Sequence, residues 1–318
     1  MSPSGLKLAY GFAVLNAVII GFSFLFAKTA LAFASPLDTL TFRFAASFLA
    51  ISVPAALGWL KLSYRGKPLL KALLLAMMYP LGFFTLQAYG LQHASSAEGG
   101  ILYAFTPVVT MILASVFLKE TTTILQKLSI ALSVFGVVFI FWMKGGGMDW
   151  SNLTGISLLL LTCVAFAGYS VLARSLTKHF SPAELTFLML GIGFAVFLVI
   201  SLASHAIKGT LPQLAEPLAS WTFIVSILFL GVISSLVTAL TATYILSKME
   251  ASRMSVFANL STIVSIAAGA LFLGEEITFY QILGSVLIIA GVIGANRFSR
   301  VRPVQPAATT RVYGDASS

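Results

Sequence analysis

Ten Asp and Glu stand against nineteen Lys and Arg in this 318-residue chain, and there are only three His and one Cys. Each scarcity removes a class of function. With Cys163 alone, no intrachain disulfide and no thiolate metal cluster can form. His93, His179 and His205 are far apart and lack metal-ligand spacing, and Cys163 has no plausible partner that would make it a nucleophile. The glycine run "KGGGMD" (144–149) lacks the Lys-Ser/Thr ending of a phosphate loop. The sequence implies no cofactor, no metal and no catalytic constellation. It also lacks any polar stretch long enough to build a soluble domain.

What fills the chain instead is apolar. It is 58% hydrophobic and 9% charged, with a mean hydropathy of +0.99. Runs of roughly 20 apolar residues, each able to cross a ~30 Å hydrocarbon core as a helix, recur at 8–30, 37–59, 69–90, 98–118, 124–143, 154–176, 183–205, 219–246, 253–273 and 277–296. The first run ends in "LAFASP", which loosely resembles a signal-peptidase site. Its length, and Lys28 before the small residues, predict a retained first helix.

In a soluble domain the net charge of +9 would suggest nucleic acid. Its distribution favours a membrane instead. With the N-terminus cytoplasmic and ten alternating spans, fifteen of the nineteen Lys and Arg fall on the cytoplasmic side. Lys28, Arg43, Lys144 and Lys208 fall outside. This is the positive-inside bias, so both termini are expected in the cytoplasm of a multi-pass cell-membrane protein, with the bilayer and not nucleic acid as partner.

The chain also repeats itself. "VFLKETTTILQ" (116–126) lies over "LFLGEEITFYQ" (271–281) at an offset of about 155 residues, matching Glu120 to Glu275, Thr123 to Thr278 and Gln126 to Gln281. The register continues to Gly136 and Gly291. At an offset near 146, "SPLD" (35–38) meets "SPAE" (181–184). Each tetrad suits a helix start, with a capping Ser, a Pro in the first turn and an acid facing the dipole. Five spans per repeat is an odd number, so the second half enters the membrane upside down. The expected fold is an all-α integral membrane protein of ten transmembrane helices in two inverted five-helix repeats, 1–148 and 149–297, followed by a disordered cytoplasmic tail, 298–318. Glu276 is matched by Thr121, so the adjacent Glu275 and Glu276 read as a helix corner rather than a proton-sharing pair.

"LGEEITFYQILGSVLIIAGV" (273–292) resembles the closing signature of the EamA-type transporters of the drug/metabolite transporter superfamily. That pattern runs Leu-Gly-Glu, Thr, Gln, Gly and a final Gly-Val. The first half repeats it with Lys119 in place of the Gly and Ser129 in place of Gly284. "PLDTLTFRF" (36–44), which includes Arg43, resembles the family's second-helix opening. The resemblance implies a ten-helix carrier, often an exporter, of amino acids, nucleobase-like compounds or drugs.

Polar residues at helical spacing inside apolar spans are costly against lipid and are expected to line a cavity. Asn16 and Ser23, then Tyr79, Phe83 and Gln87, then Tyr103, share faces in the first half. In the second, Tyr169 lines up with Thr162, Thr238 with Ser234 and Thr241, and Asn259 with Ser255 and Thr262. Together these stripes form the expected substrate site, with Asn16, Ser23, Tyr79, Gln87, Tyr103, Tyr169, Thr238 and Asn259 as its eight binding residues. Arg43 either pairs with Asp38 or caps carbonyls, or attracts an anionic group on the substrate. Arg43, Glu98, Pro107 and Glu275 are the candidates for gating or coupling, with His93 also open for coupling and Pro107 the bend expected to matter most. The function expected is secondary transport, as an exporter, of a small metabolite such as an amino acid or drug-like compound, by alternating access between the repeats. A membrane-embedded enzyme or a channel is the alternative. Monomer and homodimer are both compatible with the sequence.

Overall fold

The computed structural model describes residues 3–93, 102–143, 153–264, 267 and 277–298. Glu98, Glu275, Glu276 and the tail beyond 298 lie outside the described residues, as does the side chain of Lys28. The described residues are helical, with no strand. The helices are α1 (Pro3–Leu31), α2 (Pro36–Ala56), α3 (Leu69–His93), α4 (Thr106–Phe117) and α5 (Ile124–Met143). The second set is α6 (Leu153–Leu176), α7 (Pro182–Lys208), α8 (Trp221–Lys248), α9 (Ala251–Val256, running on through a 3-10 turn, Phe257–Asn259, to residue 264) and α10 (Phe279–Arg297). A 3-10 segment, Leu211–Ala219, links α7 to α8.

Seven of these helices, α1, α2, α3, α6, α7, α8 and α10, are long and apolar enough to cross a membrane. The sequence predicts ten crossings. The other three stretches stay short within the described residues: α4 is 12 residues long, the apolar part of α5 is Ile124–Ile140, and the expected span 253–273 runs into residues that are not described. The outward surface is apolar, with Trp142 80% and Ile207 87% exposed, as a hydrocarbon solvent favours.

The helix starts follow local chemistry. Ser35 Oγ accepts from the Asp38 N–H at 3.2 Å. Ser181 and Glu184 form a reciprocal capping box. The repeated T-x-x-Q also caps: the Gln126 N–H donates to Thr123 Oγ1 at 3.1 Å, and the Thr278 N–H donates to Gln281 Oε1 at 2.8 Å. At the end of α4, Lys119 takes a left-handed conformation, φ 55°, and the Glu120 N–H folds back to the Ala114 carbonyl. This is the position where the resembling signature carries Gly, the residue that adopts positive φ without cost. Glu120 stands shortly before α5 in the sequence, and the dipole argument aims such an acid at the start of that helix. Glu120 instead accepts from the Ala251 and Ser252 N–H groups at 3.1 and 3.3 Å, so it caps α9, in the other half of the chain.

Helix pairings form a pattern. α1 packs on α8 and α6 on α3; α2 packs on α8 and α7 on α3; α6 packs on α4 and α1 on α9. The remaining partnerships are α2 with α7, α4 with α9 and α5 with α10. Exchanging α1–α5 for α6–α10 turns each of the first six pairings into another of the six and maps each of the last three onto itself. The α5–α10 seam is closest where side chains vanish. A Cβ on Gly291 would sit 2.6 Å from Ser129 O, and one on Gly136 would sit 2.8 Å from Gly284 O.

α2 and α7 lie antiparallel and are bonded at both ends. At one end Asp38 accepts from Ser201 Oγ at 2.6 Å and meets His205 Nε2 at 3.1 Å. At the other, Glu184 pairs with Lys67 at 2.6 Å and accepts from the Ser63 N–H at 2.9 Å. In the connection beside it, burial and then the Glu184 charge push the Tyr64 phenol up to about 12.

Candidate functional site

Two helices are interrupted midway by π-turns, Met77–Gly82 in α3 and Phe229–Val237 in α8. In α3 the cause is Pro80, which has no N–H to continue the ladder. Tyr79, just before it, is extended, at φ −149° and ψ 115°. A glycine, Gly193 of α7, receives the proline ring, since a Cβ there would lie 2.6 Å from Pro80 Cγ. Pro107, expected to be the bend that matters most, instead occupies the first turn of α4, where a missing N–H breaks no intrahelical bond. In α8 the π-turn brings Gly231 against α2, where Ser47 Oγ donates to the Gly231 carbonyl at 2.8 Å.

Between these breaks lies a cavity with an empty volume of about 780 Å³, part of it open to solvent. Its lining comes from α1, α2, α3, the turn before α4, α6, α8 and α9. It includes Asn16, Ser23, Tyr79, Gln87, Tyr103, Tyr169 and Thr238. Of the eight residues named for the substrate site, seven thus line one cavity. Asn259 is 1% exposed, is not among the lining residues, and donates from Nδ2 to Ser133 Oγ of α5 at 3.0 Å.

Among the lining residues, Asn16 is 6% exposed. It accepts at Oδ1 from Thr241 Oγ1 at 2.6 Å, and its Nδ2 reaches the Thr238 carbonyl at 3.5 Å. Ser23 and Thr238 donate to carbonyls of their own helices, Ile20 and Ser234. The Tyr79 and Tyr169 rings stack with centroids 4.6 Å apart. Phe166 lies edge-on to Tyr103 at 5.9 Å and tilted against Tyr169 at 5.6 Å. Each such pair adds about 0.5–1.5 kcal/mol beyond area burial and holds the wall rigid.

Arg43 is the charged side chain of the lining. Its expected partner Asp38 is taken by Ser35, Ser201 and His205. Arg43 turns instead to the π-turn of α8, where Nε donates to Ser235 Oγ at 2.7 Å and Nη2 to Ser234 Oγ at 3.2 Å. Phe84 covers one face of the guanidinium, 4.1 Å from ring centre to Cζ. The Phe84 and Phe166 contributions were missed in the sequence. Phe166 was legible, three residues before Tyr169 on one helical face. Phe84 was not, because the wider π-turn shifts the register of the helix that follows it.

The pattern of the EamA-like transporter family matches this chain over residues 7–142 and again over 153–297. The uncharacterized transporter YcxC of Bacillus subtilis (strain 168) is 45% identical over 288 residues, covering 91% of this chain and 92% of the relative. An uncharacterized transporter of Archaeoglobus fulgidus is 29% identical over 279 residues, 86% of this chain and 92% of its own length. A solved crystal structure, 15% identical, superposes with a TM-score of 0.75 over 92% of this chain and 98% of that one, a likeness of fold alone.

Proposed function

The chain belongs to the EamA-like transporter family, and from that premise we propose that it is a secondary exporter of a small metabolite, working by alternating access around the central cavity. The observation that carries this reading is the cavity's lining, drawn from both halves of the chain. A site at the seam of two halves can be opened to either side by rocking one against the other. Ten crossings in two inverted repeats, 1–148 and 149–297, with both termini cytoplasmic, complete the proposal. Three features support it: the exchange pattern of the helix pairings, the two separate matches to one family pattern, and a π-turn in each of α3 and α8. The ion pairs at the two ends of α2–α7 are then closures for opposite faces.

Movement is facilitated rather than driven. No carboxylate lines the cavity among the described residues, and proton exchange commonly needs an intramembrane acid. A metabolite made inside the cell therefore leaves down its own gradient. In vesicles containing the purified protein, counterflow of a substrate should saturate and should need no pH gradient or potential. Uphill uptake driven by an imposed proton gradient alone would overturn the uncoupled part. Flux that fails to saturate would replace the carrier with a channel.

A further inference from the structure

We propose that the cavity selects an aromatic carboxylate without an amino group, with Arg43 holding the carboxylate and the Tyr79, Tyr103, Phe166 and Tyr169 rings seating the aromatic body. The proposal rests on the transporter reading above and names its substrate class.

The argument starts from charge. Arg43 is 5% exposed, and among the described residues it has no carboxylate partner. Serine hydroxyls at 2.7 and 3.2 Å satisfy two of its five N–H donors without neutralising it. The other three have no acceptor among the described residues. A buried guanidinium in this condition is expensive, and within membrane segments such groups mark substrate pathways. The two serines and the Phe84 ring fix the plane of the guanidinium. A fixed planar fork suits the paired oxygens of a carboxylate better than a single polar atom.

The same wall discriminates against a positive charge. Among the described lining residues Arg43 is the charged one, so an ammonium entering the cavity meets a like charge with no acid among those residues to offset it. The most obvious neutral acceptor, Asn16 Oδ1, is already engaged by Thr241. A zwitterionic amino acid gains at Arg43 and meets repulsion at its ammonium, and an amine meets that repulsion with only the ring faces to attract it. The rest of the lining is ring surface: the stacked Tyr79–Tyr169 pair and Phe166 against Tyr103. The Tyr169 hydroxyl, 1% exposed and without a hydrogen-bond partner among the described residues, adds a donor in the same wall.

The test compares phenylacetate, phenylacetamide, phenylalanine, phenethylamine and acetate as ligands of the full-length protein in detergent at pH 7, and as solutes in vesicle flux. Phenylacetate is expected to bind at least tenfold more tightly than its amide and than acetate, with phenylalanine weaker and phenethylamine weakest. Arg43→Gln, which keeps donors for the two serines, should erase the acid–amide difference. Arg43→Lys, which keeps charge and loses the fork, should retain part of it. If Arg43→Gln does not fold, the acid–amide comparison on the unaltered protein decides. Amide or amine binding as tightly as the acid, or saturable flux of some other solute with no binding of phenylacetate, would overturn the substrate class and leave the transporter reading standing. Absence of saturable flux for every solute tried would remove the transporter reading itself.

Discussion

The hydrogen bond from Thr241 to Asn16 at 2.6 Å sits in the cavity wall, whereas that from Asn259 to Ser133 at 3.0 Å lies behind it. Substitution by alanine should therefore separate the two amides. Asn16→Ala is expected to weaken substrate binding by the value of about one hydrogen bond, ~0.5–1.5 kcal/mol or a few-fold to tenfold in Kd, and, because the Thr241 bond is lost with it, to cost about 0.6 kcal/mol of stability as well. Asn259→Ala is expected to leave affinity in place and cost about 0.6 kcal/mol of stability, as interhelical hydrogen bonds in membranes do on average. Ligand titration and thermal melting of both variants check the pair; the opposite assignment would return Asn259 to the site. In the sequence, Ser255 and Asn259 share a helical face. The 3-10 turn Phe257–Asn259 advances roughly 60° more over three residues than an α-helix does. Ser255 lines the cavity and Asn259 does not. Polar type and spacing were thus readable. The one irregular turn that redirects Asn259 was not, because neither Gly nor Pro announces it.

Helix corners are the most legible elements, since a cap depends on neighbours within four residues. The S-P-x-acid and T-x-x-Q repeats both cap as their residue types dictate. One corner is imperfect. Lys119 holds φ 55°, a conformation that costs a residue with Cβ about 1–2 kcal/mol. Lys119→Gly should raise stability, by less than that strain because glycine also loosens the unfolded chain. Gly291→Leu should act the other way, because even a Cβ there meets Ser133 N and Ser129 O at 2.6 Å; overpacking of this kind costs about 1–3 kcal/mol. Melting curves of the two variants in one detergent check both signs. The π-turns mark where local reading ends. Pro80 signals the first, but the second spans Phe229–Val237 without any proline. It packs across helices, with Gly231 against Ala46 and the Arg43 carbonyl, and no window of α8 alone contains that information.

At the scale of the molecule, membrane residence was legible from the long apolar runs, and the family from the signature at the closing corner. The partner of Glu120 was not. The dipole argument calls for a helix start near this acid, and the nearest in sequence is α5, yet the start it caps is that of α9. The proposed topology has a direct check. Single cysteines at Arg65 and Lys208, in a chain with Cys163 replaced, should differ under an impermeant thiol reagent applied outside the cell. Lys208 is expected to label and Arg65 is not. The reverse pattern would invert the protein, and equal labelling would break the alternation of crossings. Arg65 is preferred to the nearby Lys67, whose side chain is engaged with Glu184.

The Glu120 corner sets a timetable. Its carboxylate is made 131 residues before the Ala251 amide that it binds. At 5–20 residues per second of synthesis, that interval is on the order of 10 s. Throughout it the α4 corner stays unfinished, with its acid solvated at the membrane surface. The α4 corner therefore lacks its partner until most of the second half has been made. Closure of α4 onto α9 is an event of late translation, and a stop codon placed before residue 251 would release a chain whose Glu120 has no α9 start to cap.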